Sequence, residues 1–155
     1  MSPDASPPLS SGLVSAKPGQ LLARGVCRHL HSHDFACLEE FTPERGKRVD
    51  VLALGARGEI WIIECKSSRA DFTSDAKWQG YLEWCDRYFW AVDADFPTAL
   101  LPDETGLILA DAYDAQIIHM GDENRLPAAR RTALIRRFGR ASAFRLQSLR
   151  DPAQV

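Results

Sequence analysis

The chain has 155 residues, of which 45% are hydrophobic and 26% charged, as in an ordinary globular protein with one core. No apolar run could cross a bilayer and residues 1–8 lack the features of a secretion signal, so we expect a cytoplasmic protein with no membrane partner. The net charge of -2, taken alone, argues against a strong nucleic-acid binder, and four cysteines without a CxxC pair favour free thiols.

The chain begins with a stretch rich in proline and serine. We predict that residues 1–18 form a disordered leader, because such a composition buries too little apolar surface to offset the entropy of ordering. Residues 19–150 are then a single domain. Within 19–30, the apolar residues Leu22, Val26 and Leu30 recur at helical spacing and predict a helix. Residues 35–41 are the next strand candidate.

Two strands, 48–54 and 59–66, read as one β-hairpin around the turn Gly55-Ala56-Arg57-Gly58. If the hairpin is symmetric about Arg57, the facing pairs are Leu54 with Ile60, Leu52 with Ile62, and Asp50 with Glu64. Side chains alternate along a strand, so Lys66 emerges on the same face as Glu64. Two acids and an amine at the end of an apolar hairpin suit the binding of a divalent cation against a phosphodiester.

Both faces of this hairpin are apolar, which predicts a sheet covered on both sides. One face carries Val49, Val51, Trp61 and Ile63, and the other carries Leu52, Leu54, Ile60 and Ile62. Charges at the end of such a sheet are costly unless they are paired or bind a metal.

Helical periodicity resumes over 75–84, with Trp78, Leu82 and Cys85 on one side and Thr73, Ser74 or Asp75 as the cap. The aromatic run 87–93 is then a central strand. Because it follows a crossover helix, it can lie parallel to the strand before that helix, which predicts an α/β fold with a mixed central sheet flanked by helices. Strands 106–112 and 116–120 and helices 128–138 and 141–149 complete the prediction.

The last segment is strongly basic. It contains Arg125, Arg130, Arg131, Arg136, Arg137, Arg140, Arg145 and Arg150 and no acid, so it carries +8 and the rest of the chain about -10. Two interpretations are open: solvated faces of amphipathic helices, or a surface that contacts phosphates. On the second interpretation, Arg130, Arg131 and Arg137 are DNA-binding candidates.

Asp50, a thirteen-residue gap and Glu64-x-Lys66 resemble the PD-(D/E)xK motif of the restriction-endonuclease-like nuclease superfamily. The order of helix, three strands, helix and strand is also similar to that superfamily's core. The stretch 48–92 more narrowly resembles the MmcB-like proteins, a family assigned to DNA repair. The residues that carry this second resemblance are Glu64-Cys65-Lys66-Ser67-Ser68, Asp71-Phe72, Asp75-x-Lys77-Trp78, Tyr81 and Cys85-Asp86.

The resemblance implies a restriction-endonuclease-like core and a Mg²⁺-dependent deoxyribonuclease that acts in DNA repair, with Mn²⁺ as a substitute metal. Asp50 and Glu64 suit Mg²⁺, a hard ion that takes one or two carboxylates, and the backbone carbonyl of Cys65 is the expected third ligand. Asp50, Glu64 and Lys66 are the expected catalytic residues, with Lys66 orienting the attacking water. Some relatives add a glutamate from the first helix, where this chain has Gln20.

Further DNA contacts are expected from residues near the motif. Ser68 and Arg69 directly follow it and could bind phosphate, and Lys77 lies on the following helix. Arg69 could equally be a surface residue. The expected partner is DNA, and a homodimer or a complex with a repair protein is left open.

Two alternatives stand beside the nuclease hypothesis. The chain could be a catalytically inactive nuclease-fold module that binds DNA or a repair partner, or the acids and the lysine could simply close the end of the sheet. His29, His31 and His33, flanked by Cys27 and Cys37, suggest zinc, but they straddle a predicted helix end and a loop, so loop histidines are the preferred interpretation.

Overall fold

The computed structural model describes residues 15–73 and 77–152, which form an α/β architecture with a six-stranded mixed sheet flanked by helices. This confirms the predicted fold class and agrees with a restriction-endonuclease-like fold. The predicted leader falls largely on residues 1–14, outside the described residues, as do the proposed caps Ser74 and Asp75.

The elements follow one another in the predicted order. They are α1 (Pro18–Ser32), β1 (Ala36–Glu44), β2 (Lys47–Leu54), β3 (Ile60–Lys66), α2 (Arg69–Thr73), a 3₁₀ helix (Trp78–Trp84), β4 (Arg87–Val92), a short 3₁₀ turn (Thr98–Leu100), β5 (Gly106–Ala110), β6 (Ala115–His119) and α3 (Ala128–Arg150).

The strands lie side by side in chain order, from β1 to β6. The first three are antiparallel, β3, β4 and β5 are parallel, and β6 returns antiparallel to β5. Leu52 pairs with Ile62 and Leu54 pairs with Ile60, which confirms the predicted hairpin register. The parallel pairing of β4 with β3 is confirmed as well, and it follows from the crossover between them.

Helices cover both faces of the sheet. α1 buries Leu22, Val26 and Leu30 against one face, and α3 packs Leu134 and Phe138 against the other. The ends of β2 and β3 are therefore held between two apolar layers. In the described part of the chain, no helix combines the length and hydrophobicity needed to cross a membrane.

Two helix predictions were wrong. The predicted α-helix 75–84 is a 3₁₀ helix over Trp78–Trp84, which opens with an i+3 to i bond from the Gly80 N–H to the Lys77 carbonyl. Leu82 is 37% exposed rather than packed inward. The predicted helices 128–138 and 141–149 are one continuous helix. Gly139 lies within it because one glycine costs a helix only about 1 kcal/mol relative to alanine.

The predicted face of Val49 was also wrong. Val51 shares a face with Trp61 and Ile63 as predicted, on the α1 side, but Val49 packs with Leu52 on the α3 side. The alternation breaks opposite Glu40, a residue of β1 with φ of 49°. Asp50, a residue of the predicted site, lies at this break.

Candidate active site

The ends of β2 and β3 bring Asp50 and Glu64 together. Regular pairing of the two strands runs to Val51 and Ile63, and beyond it the carboxylates bind the opposite backbone. The Asp50 N–H donates to Glu64 Oε1 at 3.0 Å, and the Cys65 N–H donates to Asp50 Oδ2 at 2.8 Å. The predicted juxtaposition of the two acids is confirmed, and each leaves one carboxylate oxygen outside this pair of bonds.

Glu64 is only 8% exposed, which makes its charge costly. Burial, and next the carboxylate of Asp50, raise the pKa of Glu64 to about 8. The hydrogen bond from the Asp50 N–H and the ammonium of half-buried Lys66 act in the opposite direction. A bound cation would favour the ionised form of both neighbouring carboxylates.

Cys65 can serve the site through its backbone but not through its sulfur. Its side chain packs in the core on the α1 side. Burial, and then the carboxylates of Asp50 and Glu64, raise the pKa of the thiol well above its ordinary value, so the thiolate that a soft metal needs does not form.

Asp50 and Cys65 open onto a cleft of about 660 Å³. The start of α1, the kinked part of β1, the start of α2 and the end of α3 enclose it. Its charged lining residues are Lys17, Glu39, Glu40, Arg48, Asp50, Asp71 and Arg145. A lining that combines acids with basic residues suits a phosphodiester that is bound together with a divalent cation.

The cleft contains an acid that the sequence reasoning missed. Glu39 lines it from β1, and burial, followed by the charge of Glu40, raises the pKa of Glu39; Asp50 acts in the same direction, and Arg145 opposes it. The available signal was a pair of adjacent acids inside an otherwise apolar strand. Gln20 of α1, at the position where some relatives carry an acid, also lines the cleft.

The donor set at the end of the hairpin fits Mg²⁺. Among residues 15–73 and 77–152, no three side chains of His, Cys, Asp or Glu come together closely enough to hold an ion by themselves. Mg²⁺ does not require three, because it binds through one or two carboxylates and keeps several of its waters. Asp50, Glu64 and the Cys65 carbonyl could hold it in that manner.

Comparison with known proteins places the chain in a family. Residues 5–153 match the family described as DNA repair protein MmcB-like. The chain belongs to the MmcB-like family. The solved structure of SPO1766, a protein of unknown function from Silicibacter pomeroyi, is 64% identical, covers 91% of this chain and 97% of its own, and superposes with a TM-score of 0.89. No curated protein matches. The predicted family is confirmed, and its description connects the chain with DNA repair.

The residues that follow the motif in this MmcB-like chain organise the start of α2. The Asp71 N–H donates to Ser68 Oγ at 3.2 Å, and Ser67 Oγ donates to Asp71 Oδ2 at 2.8 Å. Ser67 and Asp71 line the cleft, whereas Arg69 and Lys77 are exposed. DNA contacts by Ser68, Arg69 and Lys77 stay a prediction.

The arginines predicted to bind DNA from the last helix have partners within the protein. Arg131 binds Asp86 through both terminal nitrogens at 2.6 Å, and Arg137 donates to the Pro43 carbonyl at 2.6 Å. The guanidinium carbon of Arg130 lies 4.3 Å from the centre of the Trp84 ring. These contacts anchor α3, and DNA contact by the same residues stays a prediction.

The three histidines lie where the sequence placed them, at the end of α1 and just after it. His29 Nδ1 is 3.4 Å from Asp114 Oδ1, and the rings of His29 and His33 are 4.6 Å apart. This pairing fastens the end of α1 to the turn before β6.

Proposed function

We propose that this MmcB-like protein is a metal-dependent DNA nuclease of the PD-(D/E)xK type, which hydrolyses phosphodiester bonds in DNA repair. The observation that carries the proposal is the contact of buried Glu64 with Asp50, which lines a cleft of about 660 Å³. An acid pair in that position is costly to the fold, and a divalent cation would remove the cost.

A divalent cation held by Asp50, Glu64 and the Cys65 carbonyl would polarise the scissile phosphate and lower the pKa of a bound water. The ammonium of Lys66 orients the attacking water and compensates the negative charge that develops on the phosphoryl oxygens. Lys17 and Arg48, which line the cleft, attract the DNA backbone, since phosphate contacts position a nucleic acid without reading its sequence.

The test is incubation of the full chain with linear, nicked, flapped and four-way DNA in Mg²⁺ or Mn²⁺. Asp50→Asn and Lys66→Ala should each reduce the cleavage rate by at least about 10²-fold, the scale on which positioned acid–base and electrostatic groups contribute. The exposed acid Asp103 provides a matched control, and Asp103→Asn should cleave at the wild-type rate.

Cleavage that persists in Lys66→Ala would identify a contaminating nuclease and overturn the proposal. DNA binding without cleavage of any substrate in either metal would also overturn it, and would favour the inactive nuclease-fold module.

A further inference from the structure

The backbone of β1 turns sharply beside the cleft. Glu40 has φ of 49°, in the left-handed region that residues other than glycine rarely adopt. On either side of it, Glu39 pairs with Val51 and Phe41 pairs with Val49. A conformation of this kind persists only where the surrounding structure holds it in place.

Arg145 provides such a hold. One terminal nitrogen of its guanidinium donates to the Glu39 carbonyl, and the other donates to the Glu40 carbonyl at 2.8 Å. The arginine comes from α3, 105 residues away from Glu40 in the chain. The planar fork of arginine can bind two successive carbonyls at once, whereas the single ammonium of lysine cannot reproduce that geometry.

Arg145 thus holds the backbone at Glu39 and Glu40, and Glu39 lines the cleft together with Asp50. Within the described residues, no three acidic, histidine or cysteine side chains are close enough to bind an ion directly, so Glu39 can act on an ion at Asp50 and Glu64 only through a water. Mg²⁺ and Mn²⁺ sites keep such waters, and carboxylates that bind them typically change metal affinity by about 10–100-fold.

We propose that Arg145 is a positioning residue, which holds the β1 kink so that the Glu39 carboxylate binds a water of the cation centre formed by Asp50 and Glu64. The inference rests on the proposed function, because it assigns Glu39 and Arg145 to the same centre. Glu39, on the first strand, would take the place of the acid that some relatives carry on the first helix.

The test is the dissociation constant for Mn²⁺, measured by electron paramagnetic resonance on the full-length protein without DNA. Glu39→Gln and Arg145→Lys should each weaken Mn²⁺ binding by about tenfold. The double variant should bind no more weakly than Glu39→Gln alone, since Arg145 acts through Glu39. Arg136→Lys, at an exposed position of the same helix, should bind like the wild type.

The Arg145→Ala variant distinguishes the positioning role of Arg145 from the effect of its positive charge. Loss of a positive charge near a cation site by itself strengthens cation binding, whereas loss of the kink weakens it, so weaker Mn²⁺ binding by this variant supports the inference. Unchanged or stronger binding by Arg145→Ala and Arg145→Lys, while Asp50→Asn abolishes binding, would overturn the inference and leave the nuclease proposal standing. Mn²⁺ binding that survives Asp50→Asn would overturn both.

Discussion

Asp86→Ala is expected to be a severely destabilising substitution, although Asp86 lies outside the candidate site. The residue is 5% exposed and accepts four hydrogen bonds: from the N–H groups of Ile60 and Leu126 at 2.8 Å, and from both terminal nitrogens of Arg131 at 2.6 Å. One carboxylate therefore joins the start of β3, the segment before α3 and α3 itself.

The expected loss in the free energy of unfolding follows from the groups that the alanine variant deprives of their Asp86 partner. Breaking a buried ion pair by removing one partner costs about 3–5 kcal/mol, because the other charge stays buried without compensation. The N–H groups of Ile60 and Leu126 lose their acceptor as well, so the upper end of that range applies. For a chain of this size, each kcal/mol lowers the melting temperature by about 2–4 °C, so the expected drop is on the order of 10–20 °C.

Urea unfolding followed by circular dichroism measures this loss directly. The matched control is Glu83→Ala, which removes an exposed ion pair with Arg130 at 3.4 Å and should cost less than about 1 kcal/mol. If Asp86→Ala cost no more than Glu83→Ala, the ion pair would not hold α3 in place and the reasoning would be refuted.

Three further predictions concern pH, packing and DNA binding. Burial, and then Asp50, raise the pKa of Glu64 from 4.5 to about 8, so between these pH values the folded metal-free chain keeps a proton that the unfolded chain releases. The free energy of unfolding should therefore fall by about 1.4 kcal/mol per pH unit as the pH rises through that window. Urea melts of Glu64→Gln should not show this pH dependence. Gly25→Ala should lower the free energy of unfolding by about 1–3 kcal/mol, since its methyl group would overlap backbone carbonyls of the turn before β6. The methyl group of Gly19→Ala, in the same helix, meets nothing within 4 Å, so this control variant should unfold at the same urea concentration as the wild type. For DNA binding, Arg48→Gln in the cleft should reduce the slope of log K against log salt by about 1, and Arg130→Gln should leave it unchanged; a reduced slope for Arg130→Gln would instead support the predicted DNA surface on α3.

The sheet could be predicted from the sequence because its determinants are local. The short turn from Gly55 to Gly58 fixes the pairing of Leu52 with Ile62, and this register brings Asp50 next to Glu64. The crossover between β3 and β4 makes their parallel pairing the expected connection. The proximity of the two acids of the candidate site can therefore be predicted from the sequence of one hairpin.

The rest of the candidate site could not be predicted, because its determinants are distant in the chain. Strand alternation places Glu39 on the same face as Cys37, the α1 side, but the cleft that Glu39 lines is formed by segments far from β1 in the chain, and the positive φ of Glu40 has no local sequence signal. The contact that supports the kink comes from Arg145, on a helix whose length depends on whether Gly139 interrupts it. A prediction from local helix propensity ends the helix at Gly139, and it therefore does not show that Arg145, beyond that glycine, lines the cleft.

Part of the basic charge of the last segment has a structural role within the protein. Only Leu134 and Phe138 of the 23-residue helix α3 are buried, so an apolar stripe contributes little to its attachment. Arg131, Arg137 and Arg145 instead donate to acceptors of the preceding segments: the Asp86 carboxylate and backbone carbonyls of β1. Because these donors are charged, each bond is stronger than a neutral one, and acids on α3 would compete for them. Three of the eight arginines in the basic segment therefore attach α3 to the rest of the fold.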